Sequence, residues 1–403
     1  MALAVELKQR GHSVTIASTE FYRNKVEGLG IAFHAMRPNW DPTDSALISQ
    51  CEELKRGPEI LFRKLILPHL RDTYDDLLSA ADNADLMIAG ELVYAAPLVS
   101  EKRGLPWISA ILSPSSFFSS YDPSVLVTVP QLMHLRKFGP PVYRAGLNMC
   151  RLATHHWSNP VRRLRNELGL RKECDPVFRD KFSENRVLAL FSREFAQQQL
   201  DWPQQTIQPG FVYHDGGTGD VRISNELAEF LSSGDAPIVF TLGSTAVHHP
   251  GDFYKRSAEA AKQLGRRAIL VGMKDKTESK GHDNLALPYA PYSQLFPRAA
   301  VIVHQGGSGT TAQALRAGRP ILFVPYGWDQ PDNAMRVERL GSALAVSRKA
   351  YSVKTAVSAL KRLLEEPHFA NRADEIRGLM QKEDGLTVAC DAIEAIGHNA
   401  ISN

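Results

Sequence analysis

Residues 300–337, AVIVHQGGSGTTAQALRAGRPILFVPYGWDQPDNAMRV, hold the densest set of side chains that can do chemistry. An apolar, β-branched run ends on His304, a turn follows at Gly306, Gly307, Ser308 and Gly309, and Thr310 and Thr311 open a helical pattern. Glycines let a backbone approach a ligand closely, and the unpaired N–H groups of a helix start, aided by the helix dipole, bind phosphate. His304 precedes the turn and can add an imidazole donor to the same diphosphate. A second apolar run, Pro320 to Val324, leads into a polar cluster containing Asp329, Gln330 and Asn333.

The turn lacks the Lys of a nucleoside-triphosphate P-loop, but Gly307, Gly309 and Ala312 satisfy the dinucleotide pattern GxGxxA, and Asp329 lies about twenty residues beyond it. An NAD-dependent oxidoreductase is therefore one alternative, and a catalytically silent nucleotide-sugar-binding protein is another. The oxidoreductase reading leaves His304, Gln330 and Asn333 without a role, and its fingerprint normally occupies the first βα unit. Each residue also has a structural reading: His304 as a helix cap, Asp329 and Gln330 as ordinary helix-start residues, Tyr289 as a core aromatic.

These residues need strands that end where they begin. Short β-branched runs alternate with helical stretches along the chain, which predicts parallel βαβ units and an α/β fold of two Rossmann-like, doubly wound domains facing across a cleft. Strands are expected at 13–17, 31–35, 86–89, 107–111, 187–191, 237–242, 268–271, 300–303 and 320–324. Helices are expected at 60–81, 97–103, 253–264, 312–316 and 331–340. The Gly and Asp-rich stretch near 210–221 sets the expected boundary, giving an N-terminal domain over 1–215, a C-terminal domain over 216–383 and a helix over 384–403 that packs back on the first domain. The chain opens directly on a helix that leads into a strand after His12, so a strand and loop ahead of it are expected and not present in the sequence.

Composition narrows the field. With 403 residues, 47 basic and 44 acidic side chains and no basic run, the chain suits a two-domain globular protein without nucleic-acid binding. No apolar run approaches the roughly 18 residues of a membrane span, and charged residues interrupt the first helix too early for a signal peptide. Cys51, Cys150, Cys174 and Cys390 are widely spaced. They read as core thiols in a reduced, cytoplasmic protein. Asp75, Asp76, His248 and His249 read as solvated surface, so no metal site is expected.

TLGS at Thr241, YAP at Tyr289, HQGGSGTT at His304 and DQ at Asp329 follow one another in an order and spacing that resemble the UDP-glycosyltransferase superfamily of GT-B fold, in its group of bacterial macrolide and glycopeptide enzymes and sterol glucosyltransferases. The resemblance spans nearly the whole chain. It implies transfer of a hexose or deoxyhexose from a UDP- or dTDP-sugar to a small lipophilic acceptor, inverting and without a metal or other cofactor, by a monomer or homodimer. It places the donor diphosphate at His304, Gly306, Gly307, Ser308, Gly309, Thr310 and Thr311 under a loop at Gly243 and Ser244, the base at Tyr289 and Ala290, and the sugar at Asp329 and Gln330. Where many relatives carry a ribose-binding Glu, this chain has Ala312.

The same resemblance puts the catalytic base on the loop after the first strand, which this sequence lacks, so transfer by the chain as given is expected to be weak. Glu91, at the end of the strand 86–89, is the remaining catalytic candidate, as a base or as a group that orients one. His12 precedes a strand and reads as a turn residue. Phe117, Phe118 and Tyr121 follow a strand end and are expected to line the acceptor site.

Overall fold

A computed structural model describes the chain except for residues 42, 54, 173, 216–221, 245, 274–282 and 402–403, with the side chains of 398–401 also undescribed. The chain divides into two compact units. The first comprises Met1–Pro42, Lys55–Val212 and Glu383–Asn403, the second Thr43–Leu54 and Tyr213–Lys382. The expected boundary stretch falls partly on residues 216–221, outside the described residues, and the excursion of 43–54 into the second unit has no counterpart in the apolar pattern.

The second unit is built on a six-stranded parallel sheet: β7 (Ile238–Thr241), β8 (Ala268–Val271), β9 (Asn284–Leu287), β10 (Val301–His304), β11 (Ile321–Phe323) and β12 (Ala343–Ala345), in the order β12-β11-β10-β7-β8-β9. Every residue of β7, β8, β10 and β11 is buried. That is why these strands read as continuous apolar runs: a parallel sheet covered on both faces has no polar side. The sequence order reverses between β7 and β10, which lie side by side in register from Val301↔Ile238 to Val303↔Phe240. Loops leaving the carboxyl ends of β7 and β10 thus flank a topological switch point, where open α/β sheets bind their ligands.

In the first unit β1 (Thr15–Ser18) pairs with β2 (Ala32–Ala35), and β3 (Met87–Gly90), β4 (Trp107–Ile111), β5 (Arg186–Ala189) and β6 (Thr206–Ile207) form a separate four-stranded sheet; all pairs are parallel. The single doubly wound sheet expected here is divided: among the described residues no ladder joins β1 to β3. The helix Ala2–Gln9 packs against the helix Gly385–Ile401 through Leu7, Ala389, Cys390 and Ile393. Arg10 adds ion pairs to Asp391 at 2.6 Å and Glu394 at 2.9 Å, and His12 meets Glu394 at 2.8 Å. His12 is thus tied into a helix-to-helix contact.

The long helix expected over 60–81 is interrupted. A π-type stretch, Leu61–Ile66, and a 3-10 turn, Leu67–His69, precede the helix Leu70–Ala80, because Pro68 has no N–H to donate and its ring opposes the preceding turn. Cys51 and Cys390 are buried as expected of core thiols, whereas Cys150 and Cys174 are half-buried. Asp76 is not simply solvated: it binds the Arg37 guanidinium at 2.7 and 2.9 Å, which holds its carboxyl below the usual range. No described helix is long and apolar enough to cross a membrane.

Candidate active site

The loops after β7, β9, β10 and β11, at the carboxyl end of the second unit's sheet, carry the residues singled out in the sequence. His304 ends β10 with its side chain fully buried. The backbone N–H of Gly306 donates to its Nδ1 at 3.0 Å, which leaves the ring proton on Nε2. Nε2 has no partner among the described residues. Burial lowers the ring's pKa to about 3, so His304 is a neutral imidazole with one buried N–H unsatisfied. Buried donors are seldom left without an acceptor, and an anionic oxygen is the acceptor that this one fits.

The turn after His304 is shaped by two glycines. Gly306 has φ +100°, and a Cβ there would lie 3.1 Å from the Gln330 carbonyl and 3.2 Å from the Phe323 ring. Gly307 caps the helix Ser308–Ala317 in extended backbone, so that helix begins four residues earlier than the apolar pattern suggested. The amides of its first turn, Ser308, Gly309 and Thr310, have no acceptor inside the helix. Thr311 is fully buried, and its hydroxyl is unpaired among the described residues.

The loop after β11 brings a second helix start to the same place. Gln330–Arg339 begins beside Ser308–Ala317, and Asp329 joins the two: its Oδ2 accepts from Ser308 Oγ at 2.7 Å and from Asn333 Nδ2 at 2.9 Å. Asn333 Nδ2 also reaches the Gly306 carbonyl at 2.9 Å. This clamp was not foreseen, although Asn333 stands one helical turn after Asp329, the spacing at which side chains meet. Gln330 closes the loop on itself, its Oε1 accepting from the N–H groups of Tyr326 at 2.8 Å and Gly327 at 3.2 Å. Between them Trp328 adopts φ +61°, a left-handed conformation that costs a bulky residue about 1–3 kcal/mol and is concentrated at functional sites.

The loop after β7 turns at Gly243, φ +66°, with Ser244 exposed; the Gln305 side chain lies against Gly243, coupling the loops on either side of the switch point. After β9, Tyr289 is 58% exposed, so the core reading fails for it and its ring face is open to a ligand. Its hydroxyl donates to the Asp215 carbonyl, while Ala290 is buried. The Asp215 carboxylate in turn accepts from Ser293 N at 3.2 Å and Gln313 Nε2 at 3.0 Å. Asp215 borders a stretch that reads as linker, and no local pattern marks Gln313, whose partner lies 98 residues away.

In the first unit Glu91 follows β3, and its Oε2 lies 3.4 Å from Lys181 Nζ. The Lys181 ammonium is buried over the rings of Phe118 and Phe182, and desolvation lowers its pKa against the opposing pull of Glu91. Glu91 is therefore the counter-ion of a buried cation. The three aromatics expected at the acceptor site separate. Phe117 is buried between Trp202, 3.9 Å away, and Phe182, 5.3 Å away; its ring is core packing and offers no face to a ligand. Phe118 is half-buried against Phe178. Tyr121 is 44% exposed and lines a cavity of about 430 Å³ with Pro140, Pro141, Arg144, Ala145 and Asn148. The residues ahead of it are pinned by Asp201, which accepts from Ser119 Oγ, Ser120 N and Ser120 Oγ, each at 2.7 Å, and the Tyr121 N–H donates to Ser119 Oγ at 3.1 Å.

Comparison with known proteins fits this arrangement. Residues 273–388 match the family described as erythromycin biosynthesis protein CIII-like, C-terminal domain. The chain is 31% identical to the O-mycaminosyltylonolide 6-deoxyallosyltransferase of Streptomyces fradiae over 98% of its own length and 93% of that protein. It is 26% identical to the sterol 3-beta-glucosyltransferase of Debaryomyces hansenii, again over 98% of this chain but 26% of the longer relative. Among solved structures, the glycosyltransferase VinC in complex with dTDP superposes with a TM-score of 0.67 at 20% identity, covering 98% of this chain and 95% of that one. The oxidoreductase alternative falls here as well as on topology, since GxGxxA follows β10, the fourth strand of its sheet in chain order, and β7, the first, ends on Thr241 and is followed by Leu242 and Gly243 instead. A fold that presents the His304 imidazole N–H, unpaired among the described residues, and two helix starts at a switch point, in a chain this similar to a macrolide sugar transferase along its whole length, makes this protein a GT-B glycosyltransferase of the UDP-glycosyltransferase superfamily.

Proposed function

We propose that the second unit binds a UDP- or dTDP-sugar, with the diphosphate on His304 Nε2 and the first-turn amides of Ser308–Ala317, the base on the Tyr289 ring and the sugar hydroxyls on Asp329. The observation that carries this reading is the buried, unpartnered Nε2–H of His304 directly ahead of a glycine turn. The dTDP complex of VinC supports a thymidine or uridine nucleotide as the class of donor. The acceptor is a lipophilic natural product of macrolide or sterol type, the kinds named in the relatives. It is received on the Tyr121 cavity.

The reaction is a single inverting displacement. An acceptor hydroxyl oxygen bonds to the anomeric carbon as the bond from that carbon to the diphosphate breaks, the hydroxyl proton passes to a base, and the nucleoside diphosphate leaves with the bonding electron pair. Neutral donors already aimed at the diphosphate take up the charge that develops there, so no divalent cation is required. A reducing cytoplasmic setting suits the free thiols.

The acceptor half of the proposal is tested by equilibrium binding of a macrolide aglycone and of a sterol to the intact chain. Tyr121→Ala is expected to weaken the preferred one by about 1 kcal/mol, some fivefold, the worth of an aromatic contact, while leaving dTDP and UDP binding unchanged. Unaltered aglycone affinity in that variant would remove Tyr121 and its cavity from the acceptor site.

A further inference from the structure

We propose that Glu52 is a positioning residue for donor-sugar recognition, holding the loop from Tyr326 to Gln330, through Gly327 and Arg348, in the shape that presents Asp329. The inference rests on the reading of Asp329 as a sugar contact. It starts from a side chain that nothing in the donor site uses. Glu52 follows the helix Ser45–Cys51, capped by Asp44, in the segment that the chain inserts into the second unit. Its side chain is 1% exposed, and neither carboxylate oxygen has a hydrogen-bond partner among the described residues. A carboxylate is an unfavourable choice for such a place, and an apolar residue of the same size would fill it at least as well.

What surrounds Glu52 is the sugar loop. A Cβ on Gly327 would lie 3.0 Å from the Glu52 carbonyl oxygen and 3.2 Å from its Cα, so the two backbones touch. Arg348 Nη1 lies 3.7 Å from Glu52 Oε2, and the Arg348 guanidinium covers the Tyr326 ring, 3.9 Å from its centroid. The Tyr326 hydroxyl donates to the Pro250 carbonyl at 3.0 Å, and Arg348 Nη2 to the His249 carbonyl at 3.3 Å. Tyr326 and Gly327 are thus fixed from the Glu52 side, strained Trp328 follows, and Asp329 comes next. A shift in this packing moves the carboxylate that bridges the two helix starts.

The charged and titratable groups around Glu52 are Arg348, Tyr326 and Cys51, with His249 beyond Arg348 and Arg256 beyond Tyr326. Burial pushes the Glu52 carboxyl up to about 7, with Arg348 pulling the other way. Above that pH Glu52 is an anion that attracts Arg348; below it the carboxyl is neutral and the attraction is lost. Sugar affinity should therefore fall as pH drops through neutrality.

Calorimetric titration of the intact chain with dTDP-glucose and with dTDP, between about pH 6 and pH 8.5, tests this. Asp329→Ala is run in parallel to establish the sugar contact on which the inference rests. Glu52→Gln is expected to weaken dTDP-glucose about three- to tenfold at the upper pH, to leave dTDP within about twofold, and to flatten the pH dependence of the sugar's share of binding. Arg348→Gln, at a partly exposed position, should reproduce the loss should Glu52→Gln not fold. Wild-type dTDP-glucose affinity and pH profile in both variants, with Asp329→Ala still discriminating, would overturn the role of Glu52 alone. Failure of Asp329→Ala to discriminate would overturn the sugar reading and this inference with it.

Discussion

Replacing His304 by Ala is expected to weaken UDP or dTDP binding by about 1–3 kcal/mol, roughly 5- to 150-fold, the cost of removing a hydrogen bond to a charged group. The geometry fixes which proton is lost. Gly306 N–H occupies Nδ1, the Phe323 ring packs edge-on at 4.7 Å, and only Nε2–H is available. Because burial holds the ring neutral down to about pH 3, the ratio of wild-type to variant affinity should stay constant between about pH 5.5 and 8. A ratio that declined as pH rose through about 6.5 would mean that an imidazolium does the binding. The same depressed pKa carries a stability consequence. Between about 3 and the ordinary 6.5 the unfolded ring binds a proton that the folded ring refuses, so His304 makes the fold less stable as pH falls through that window and has no such effect above it. Equilibrium unfolding should show the difference in stability between wild type and His304→Ala shrinking as the solution is acidified.

Asp329→Ala should act on a different part of the donor. Free nucleoside diphosphate is expected to bind it within about threefold of wild type, while the intact nucleotide-sugar loses about 1.5–3 kcal/mol, the range for hydrogen bonds that involve a charged partner. The carboxylate sits at the start of Gln330–Arg339, bonded to the side chains of Ser308 and Asn333, beside the turn whose amides are assigned to phosphate. Measuring both ligands on the same variant separates the roles. Equal losses for the two would place Asp329 in phosphate binding or in the support of the turn, and the sugar contact elsewhere.

How much of this was legible beforehand depended on burial. The strands β7, β8, β10 and β11 are buried at every position and read directly as apolar runs, and their order alone put His304 and Gly243 at one end of the sheet. The strands β9, NLAL, and β12, ALA, were not anticipated; four and three residues with no β-branched side chain among them carry no periodicity to detect. Phe117 and Tyr121 look equivalent as aromatics after a strand, and only packing decides that the first stacks on Trp202 while the second faces a cavity. Glu52 was invisible for another reason. Its importance comes from contacts with Gly327 and Arg348, more than 270 residues away, and a lone Glu after a short helix reads as surface. Glu91 stood at the foreseen strand end, but its engagement with Lys181 is a long-range pairing that no local pattern announces.

The central claim is that the second unit is a nucleotide-sugar site whose phosphate donors are neutral and preformed. Calorimetric titration of the intact chain with dTDP, UDP and NAD in the presence of EDTA tests it most directly. Tighter binding of dTDP or UDP than of NAD, unchanged by EDTA and weakened about 5- to 150-fold by His304→Ala, is the predicted result. Tighter binding of NAD than of both nucleotides, or nucleotide binding that disappears in EDTA and returns with Mn²⁺, would contradict it.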